Sequence, residues 1–200
     1  IYYTAFTVDV IQDAMSVTVQ NDSIWSSDED GFAIRTGGNI YGTTANDMYV
    51  DVTGNGLIFE AQYNNYPVTL NNIEVMNNQS DGIRVEGYDG AVEDVTATNI
   101  TIDGEGYGIN IYSDQAVSNV HVSDVRSEAI DGRALNIRGY YTGVQNVLIE
   151  DSYFFGGMSN QAVNIESDEN VENVTVVRDS IICESSTALD IEADELLLNV

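Results

Sequence analysis

Lysine is absent from this 200-residue chain, and six arginines are its only basic residues apart from one histidine, against 33 aspartates and glutamates. The formal net charge is −27. A surface so acidic repels phosphate backbones and anionic lipid headgroups, which argues against nucleic acid and against membrane insertion. It attracts cations, Ca2+ among them, and basic partner surfaces. It also suits a salty, halophilic or marine milieu, where screening relieves self-repulsion. The single cysteine, Cys183, allows no internal disulfide and reads as a core residue. The single proline, Pro67, stands at the entry to a strand pattern, so almost every residue keeps the N–H that a β-ladder needs. No apolar run reaches transmembrane length. No secretory leader is visible, because the chain opens directly in strand-like sequence, IYYTAFTVDV.

What the chain does have is a repeat. Hydrophobic residues make up 43% of it and they are patterned, so a core can form despite the charge. One phrase reads small, apolar, polar, apolar, polar. It occurs as Gly31-Phe-Ala-Ile-Arg35, Gly56-Leu-Ile-Phe-Glu60, Gly82-Ile-Arg-Val-Glu86, Gly108-Ile-Asn-Ile-Tyr112, Ala134-Leu-Asn-Ile-Arg138, Ala162-Val-Asn-Ile-Glu166 and Ala188-Leu-Asp-Ile-Glu192. Successive copies are 25, 26, 26, 26, 28 and 26 residues apart. Near-constant spacing of this kind is the signature of a solenoid.

Between copies lie two short strand patterns broken by Asn or Asp, as in Val95-Thr-Ala-Thr-Asn99-Ile-Thr-Ile102 and Val147-Leu-Ile-Glu-Asp151-Ser152. Apolar residues alternate with period two, so alternate side chains face a core. Each coil therefore holds three short strands and returns to its start after about 26 residues, burying its apolar face only by stacking on the next coil. The fold expected is all-β: a right-handed, single-stranded parallel β-helix of about seven coils, forming one domain over residues 1–200. Asn and Asp tolerate left-handed backbone geometry, so the column Asn21, Asn72, Asn99, Asp124, Asp151 and Asp179 is expected to form the sharp bend. Stacking at roughly 4.8 Å makes the rod only about 35 Å long.

The three-strand coil, the Asn/Asp bend and the N-V-x-V phrase (Asn119-Val-His-Val122, Asn146-Val-Leu-Ile149, Asn173-Val-Thr-Val176) resemble the right-handed parallel β-helix repeat proteins of the pectate-lyase-like superfamily. The resemblance spans essentially the whole chain and bears on fold far more than on activity. That group includes polysaccharide lyases, glycoside hydrolases, sugar epimerases, phage tailspikes and adhesins. Its members usually cap their ends, whereas here no amphipathic capping helix is legible and Glu195-Leu-Leu-Leu-Asn-Val200 reads as the first strand of an eighth coil. The chain is therefore expected to be a segment of a longer protein. The Gly-His-Gly and Arg-x-Lys phrases and the paired aspartates that polygalacturonase-like members carry are missing.

Chemistry is best sought on the outward face of the first strand. Its two columns are Ala33, Ile58, Arg84, Asn110, Asn136, Asn164, Asp190 and, beside them, Arg35, Glu60, Glu86, Tyr112, Arg138, Glu166, Glu192. Arg84 and Arg138 are candidates to grip uronate carboxylates, and Tyr112, Tyr140 and Tyr141 to stack on sugar rings. The plainer alternative is a solvated face with ladder salt bridges such as Arg138 with Glu166. Glu60 with Glu86, and Glu166 with Glu192, lie one coil apart, near the shorter carboxylate spacing of glycosidases. On so acidic a rod such pairs also arise by default. For lyase chemistry of the kind the resemblance implies, Arg84 or Arg138 would be the base, near Glu86 or Glu166, with Ca2+ held by acidic groups.

His121 is expected to face outward and alone, so no zinc or copper cluster is expected. Like charges at Asp124, Asp151 and Asp179 would repel by roughly 1 kcal/mol per neighbour in water, so backbone donors or a bound Ca2+ should offset them. Of four N-glycosylation sequons, only those at Asn78 and Asn173 avoid the bend.

Two readings from different classes follow. The first is a structural or adhesive β-solenoid at the cell surface or outside the cell, binding polysaccharide weakly or stacking with copies of itself in a fibre, with no cofactor required. The second is a carbohydrate-active enzyme, a polysaccharide lyase acting on acidic glycans. A phage or viral spike is a third possibility. Short turns and the missing catalytic phrases favour the first.

Overall fold

The computed structural model describes residues 6–26, 29–157 and 161–200. The opening pattern IYYTAFTVDV is therefore seen only from Phe6, and residues 1–5 lie outside the described part. The described residues form 19 strands and no helix, and every strand pairing is parallel.

One sheet has eight strands: Phe6–Val10, Phe32–Thr36, Leu57–Ala61, Asp81–Gly87, Tyr107–Ser113, Leu135–Gly139, Val163–Ser167 and Leu189–Ala193. Each pairs with the strand one coil away, so residues stack in straight columns. Val8, Ile34, Phe59, Val85, Ile111, Ile137, Ile165 and Ile191 form one such inward column. The second sheet has eleven strands and wraps the other two sides of the coil. The result is a parallel β-solenoid of about seven turns with one continuous apolar interior.

In the four central coils the second and third expected strands are one long strand that turns a corner. These are Ile40–Val52, Asn65–Met76, Val92–Gly104 and Ala116–Ala129. The corner residues carry left-handed backbone: Asn21, Asp47, Asn72, Asn99, Asp124, Asp151 and Arg178, with φ from +53° to +61°. The reason is parity. In Val92–Gly104 the inward residues are Val95, Ala97, Ile100 and Ile102. Between Ala97 and Ile100 there are two residues where alternation allows one, and Asn99 at φ +53° absorbs the surplus. A second left-handed column, which the sequence pattern did not disclose as a bend, does the same at Ser16, Gly42, Asp94, Asn119, Asn146, Asn173 and Asn199. The asparagine of N-V-x-V is this corner.

Register corrects the expected bend column in two places. Asp47 belongs to it. In the last coil the bend falls on Arg178 and not on Asp179, because Tyr153 pairs with Ser180 and Asp179 therefore stands opposite Ser152. The Leu196–Leu198 strand pairs with Asn170–Glu172 in the second sheet, so this segment is the second strand of the coil begun by Leu189–Ala193 rather than the first strand of a further one. Cys183 ends a strand at the flank of the second sheet, half-buried and outside the apolar interior.

The small residue that opens each repeat lies at a close approach between successive coils. A Cβ on Gly56 would stand 2.3 Å from the Gly82 carbonyl oxygen, and one on Gly108 would stand 2.2 Å from that of Ala134 and 1.9 Å from Ser127 Oγ. Later coils take alanine at this position, so the approach is tight only in the first half of the rod. Gly108→Ala is expected to cost about 1–3 kcal/mol through overpacking, read as a lowered urea midpoint with unchanged slope.

Candidate functional site

The outward columns of the first sheet are closer to a closed surface than to an open strip. Ala33 and Ile58 lie outside the apolar interior yet are fully buried. Arg84, in register with Ile58, sits among three carboxylates: Glu60 at 3.5 Å, and Asp81 and Glu86 at 3.6 Å each. Arg35 reaches Asp30 at 3.3 Å and Glu60 at 3.6 Å. Glu60 and Glu86 are register partners, as their spacing implied, and Arg84 contacts both.

Further along, the column becomes an amide ladder. Asn110 Nδ2 donates to Asp81 Oδ1 (3.3 Å), Asn136 to Asn110 (2.9 Å) and Asn164 to Asn136 (3.0 Å). Arg133 Nη1 adds a bond to Asn136 Oδ1 at 3.0 Å. A shallow hollow of about 460 Å³ opens beside Asp81 and Arg84, bordered by Asn55, Tyr107 and Asp131.

The electrostatics single out Glu86. Burial pushes its carboxyl up to about 7, with Glu60, Asp81 and Asp114 adding repulsion and Arg84 opposing. Asp81 is raised by burial in the same way. Burial and the neighbouring glutamates push the Tyr88 phenol up to about 12. Burial and a hydrogen bond from its hydroxyl to Asp114 raise Tyr112 too.

At the other end, Arg138 Nη2 is 3.1 Å from Glu166 and 3.7 Å from Asp168, and its guanidinium lies 3.9 Å above the Tyr140 ring. Tyr140 meets Tyr112 edge-on at 5.6 Å and Tyr141 at 6.3 Å. The structure thus brings Tyr112, Arg138, Tyr140 and Glu166 together around one corner, with Arg84 and Glu86 one coil before Tyr112. Both arginines already hold carboxylates. The faces open to a ligand are rings: Tyr141 is 68% exposed, and Tyr63 and Tyr88 are exposed on the same corner.

Asp124, Asp151 and Asp179 do not form one cluster. Asp151 is gripped by Arg178, Nε at 2.6 Å and Nη2 at 2.7 Å, and that hydrogen bonding holds its carboxyl below the usual range. The charge that the sequence left unbalanced is thus met by a guanidinium. Asp179, one position off the corner, accepts the Ser152 N–H at 2.7 Å. Among the described residues no three His, Cys, Asp or Glu side chains converge as metal ligands.

His121 faces outward as expected but is not alone, since its Nε2 lies 3.1 Å from Glu150 Oε1. The Asn78 sequon is unusable on this fold: its side chain is fully buried and its Nδ2 donates to the Ser80 and Tyr107 carbonyls. Asn173 Nδ2 is likewise engaged, at 3.0 Å from Asn146 Oδ1.

Fold and site together define a parallel β-solenoid of the β-helix repeat type, with an ion-paired, tyrosine-edged lateral face. Compared with protein-family models, with curated proteins and with solved structures, the chain matches none.

Proposed function

We propose that the chain is a structural or adhesive segment of an extracellular or cell-surface protein, with the architecture of the pectate-lyase-like superfamily, presenting its tyrosine corner to polysaccharide or stacking with copies of itself in a fibre. The observation that carries this reading is the engagement of Arg84 and Arg138. Arg84 is tied to carboxylates of its own and the preceding coil and Arg138 to carboxylates of the next, and such cross-coil pairs stiffen a rod; a group that abstracts a proton from substrate must instead be free to reach it. The tyrosine faces beside them supply the flat apolar surface that sugar rings stack on. This reading requires no cofactor.

A second reading, a polysaccharide lyase on acidic glycans, is favoured by Glu86 alone, whose carboxyl titrates near neutrality beside Arg84. One experiment separates the two. Incubation with polygalacturonate and alginate, with and without Ca2+, at low and high salt, is expected to give no rise in the ultraviolet absorbance of unsaturated uronate products. Migration in gels cast with either of these acidic polysaccharides is expected to be retarded, and the retardation lost in the Tyr140→Ala, Tyr141→Ala double variant. A rising absorbance abolished by Arg84→Ala or Arg138→Ala would replace the adhesive reading with the lyase. Unretarded migration in every gel would remove the glycan-binding part.

A further inference from the structure

The chain has one tryptophan, Trp25, and it is displayed on the surface. It stands on the short strand Ser23–Ser26, whose Ile24 packs against the interior, so Trp25 points outward and is 66% exposed. Its ring lies 5.9 Å from that of Tyr49 at 48°. An indole on a face this acidic adds nothing to the core and leaves a large apolar ring in water, and it gains meaning from the open groove that it borders.

Next to it is an open groove of about 680 Å³. Trp25 forms one wall and Ile130, 48% exposed, the other; Asp51, Asn77, Gln79 and Asp103 lie between them. Trp25 pairs with Asp51, Asp51 with Met76, and Met76 with Asp103, so the groove climbs one coil at a time along the rod. Trp25 and Ile130 belong to coils four apart, a rise of about 19 Å at the usual strand spacing. That length suits an oligosaccharide better than a single sugar. Gly104 keeps the floor low, since a Cβ there would fall 2.1 Å from Asn78 Oδ1. Asn77 Nδ2 donates to Asp51 Oδ1 at 2.7 Å, which fixes an amide and a carboxylate side by side before any ligand arrives.

We infer that this groove binds a neutral, hydroxyl-rich polysaccharide lying along the rod axis, one sugar ring stacked on Trp25 and successive hydroxyls on the acid and amide side chains. The charge selects the class. Among the described residues no cationic side chain lines the groove, while Asp51, Asp103 and Glu105 do, so a uronate or sulfated glycan is repelled and a hydroxyl donor is welcomed. The groove is a different surface from the tyrosine corner, and it stands whether or not that corner binds glycan.

Trp25 reports on its own occupancy, because no other indole contributes to the emission. Titration with β-linked glucose, xylose and mannose hexasaccharides is expected to give a saturable blue shift with at least one of them, and none with oligogalacturonates. Calorimetry on Trp25→Ala, folded by circular dichroism, should show binding of that sugar lost. Trp25→Phe should retain part of it, and Asp103→Asn should weaken it severalfold. Retention through Tyr140 and Tyr141 should persist in Trp25→Ala, so failure of one site is read apart from failure of the other. An unchanged emission with every neutral sugar at millimolar concentration overturns the inference. So does binding that Trp25→Ala leaves intact, or binding confined to cationic glucosamine oligomers, where charge and not the indole would be choosing.

Discussion

Phe59→Ala is expected to destabilise the protein by about 3–5 kcal/mol, a large share of the stability of a typical domain. Phe59 is fully buried and is among the largest side chains in the interior. It lies in the inward column between Ile34 and Val85, with its ring 6.3 Å from that of Phe32, which itself stacks on Phe6 at 5.4 Å. Truncation removes the transfer free energy of the ring and leaves a void that strands held above and below by backbone ladders have little freedom to fill. Phe155, which alternates outward on Tyr153–Gly156, provides the control: its truncation should cost well under half as much. Urea denaturation of both variants measures the difference. A loss at Phe59 below about 1 kcal/mol would mean that the coils close over the gap and that the interior is softer than its packing implies.

The second large effect is a pH dependence centred on Glu86. Its side chain is 9% exposed and burial is the first cause of its raised pKa. The folded protein therefore holds a proton that the unfolded chain releases above about 4.5, its unperturbed value. The sign follows from linkage: the stabilisation is complete below about 4.5 and is lost as pH rises through about 7. A gap of this size corresponds to about 3 kcal/mol. Glu86→Gln, which keeps shape and removes the titration, should be more stable than the parent above neutrality and should lack that part of the slope. The comparison between the two proteins cancels the general self-repulsion of the acidic surface. Parallel stability–pH curves would show that Glu86 keeps an ordinary pKa, and with that the one observation favouring a lyase would fall.

The solenoid was legible because its cause is written in repeating form. Seven copies of one phrase give the coil length, and period-two alternation names the inward residues, of which Ile34, Phe59, Val85, Ile111 and Ile137 are all in the interior. The corners were half legible. Asparagine signals left-handed backbone by preference, which found Asn72 and Asn99, but preference misled at Asp179, where register places Arg178 on the corner instead. The Asp94–Asn199 corner was visible as a recurring asparagine without its meaning, since only parity counting on known inward residues reveals the surplus position.

On the candidate face, repeat spacing made the register of the outward columns legible, but not how closed that face is. Which carboxylate Arg84 touches depends on side-chain packing between coils, and so does the burial that raises Glu86. The groove beside Trp25 was not legible at all. Its residues are dispersed over five coils and are joined only by stacking; a lone tryptophan next to a turn was the single available hint.

The equivalence of the coils has a consequence for how such a chain can change over generations. Gly82 and Gly108 occupy the same place in successive turns, and the columns through them are continuous above and below. Loss or duplication of the stretch between them would join like to like, leaving neither a hole nor a dangling edge inside the rod. Reach is thus adjustable in whole steps by recombination within the gene, independently of whatever the lateral surfaces recognise.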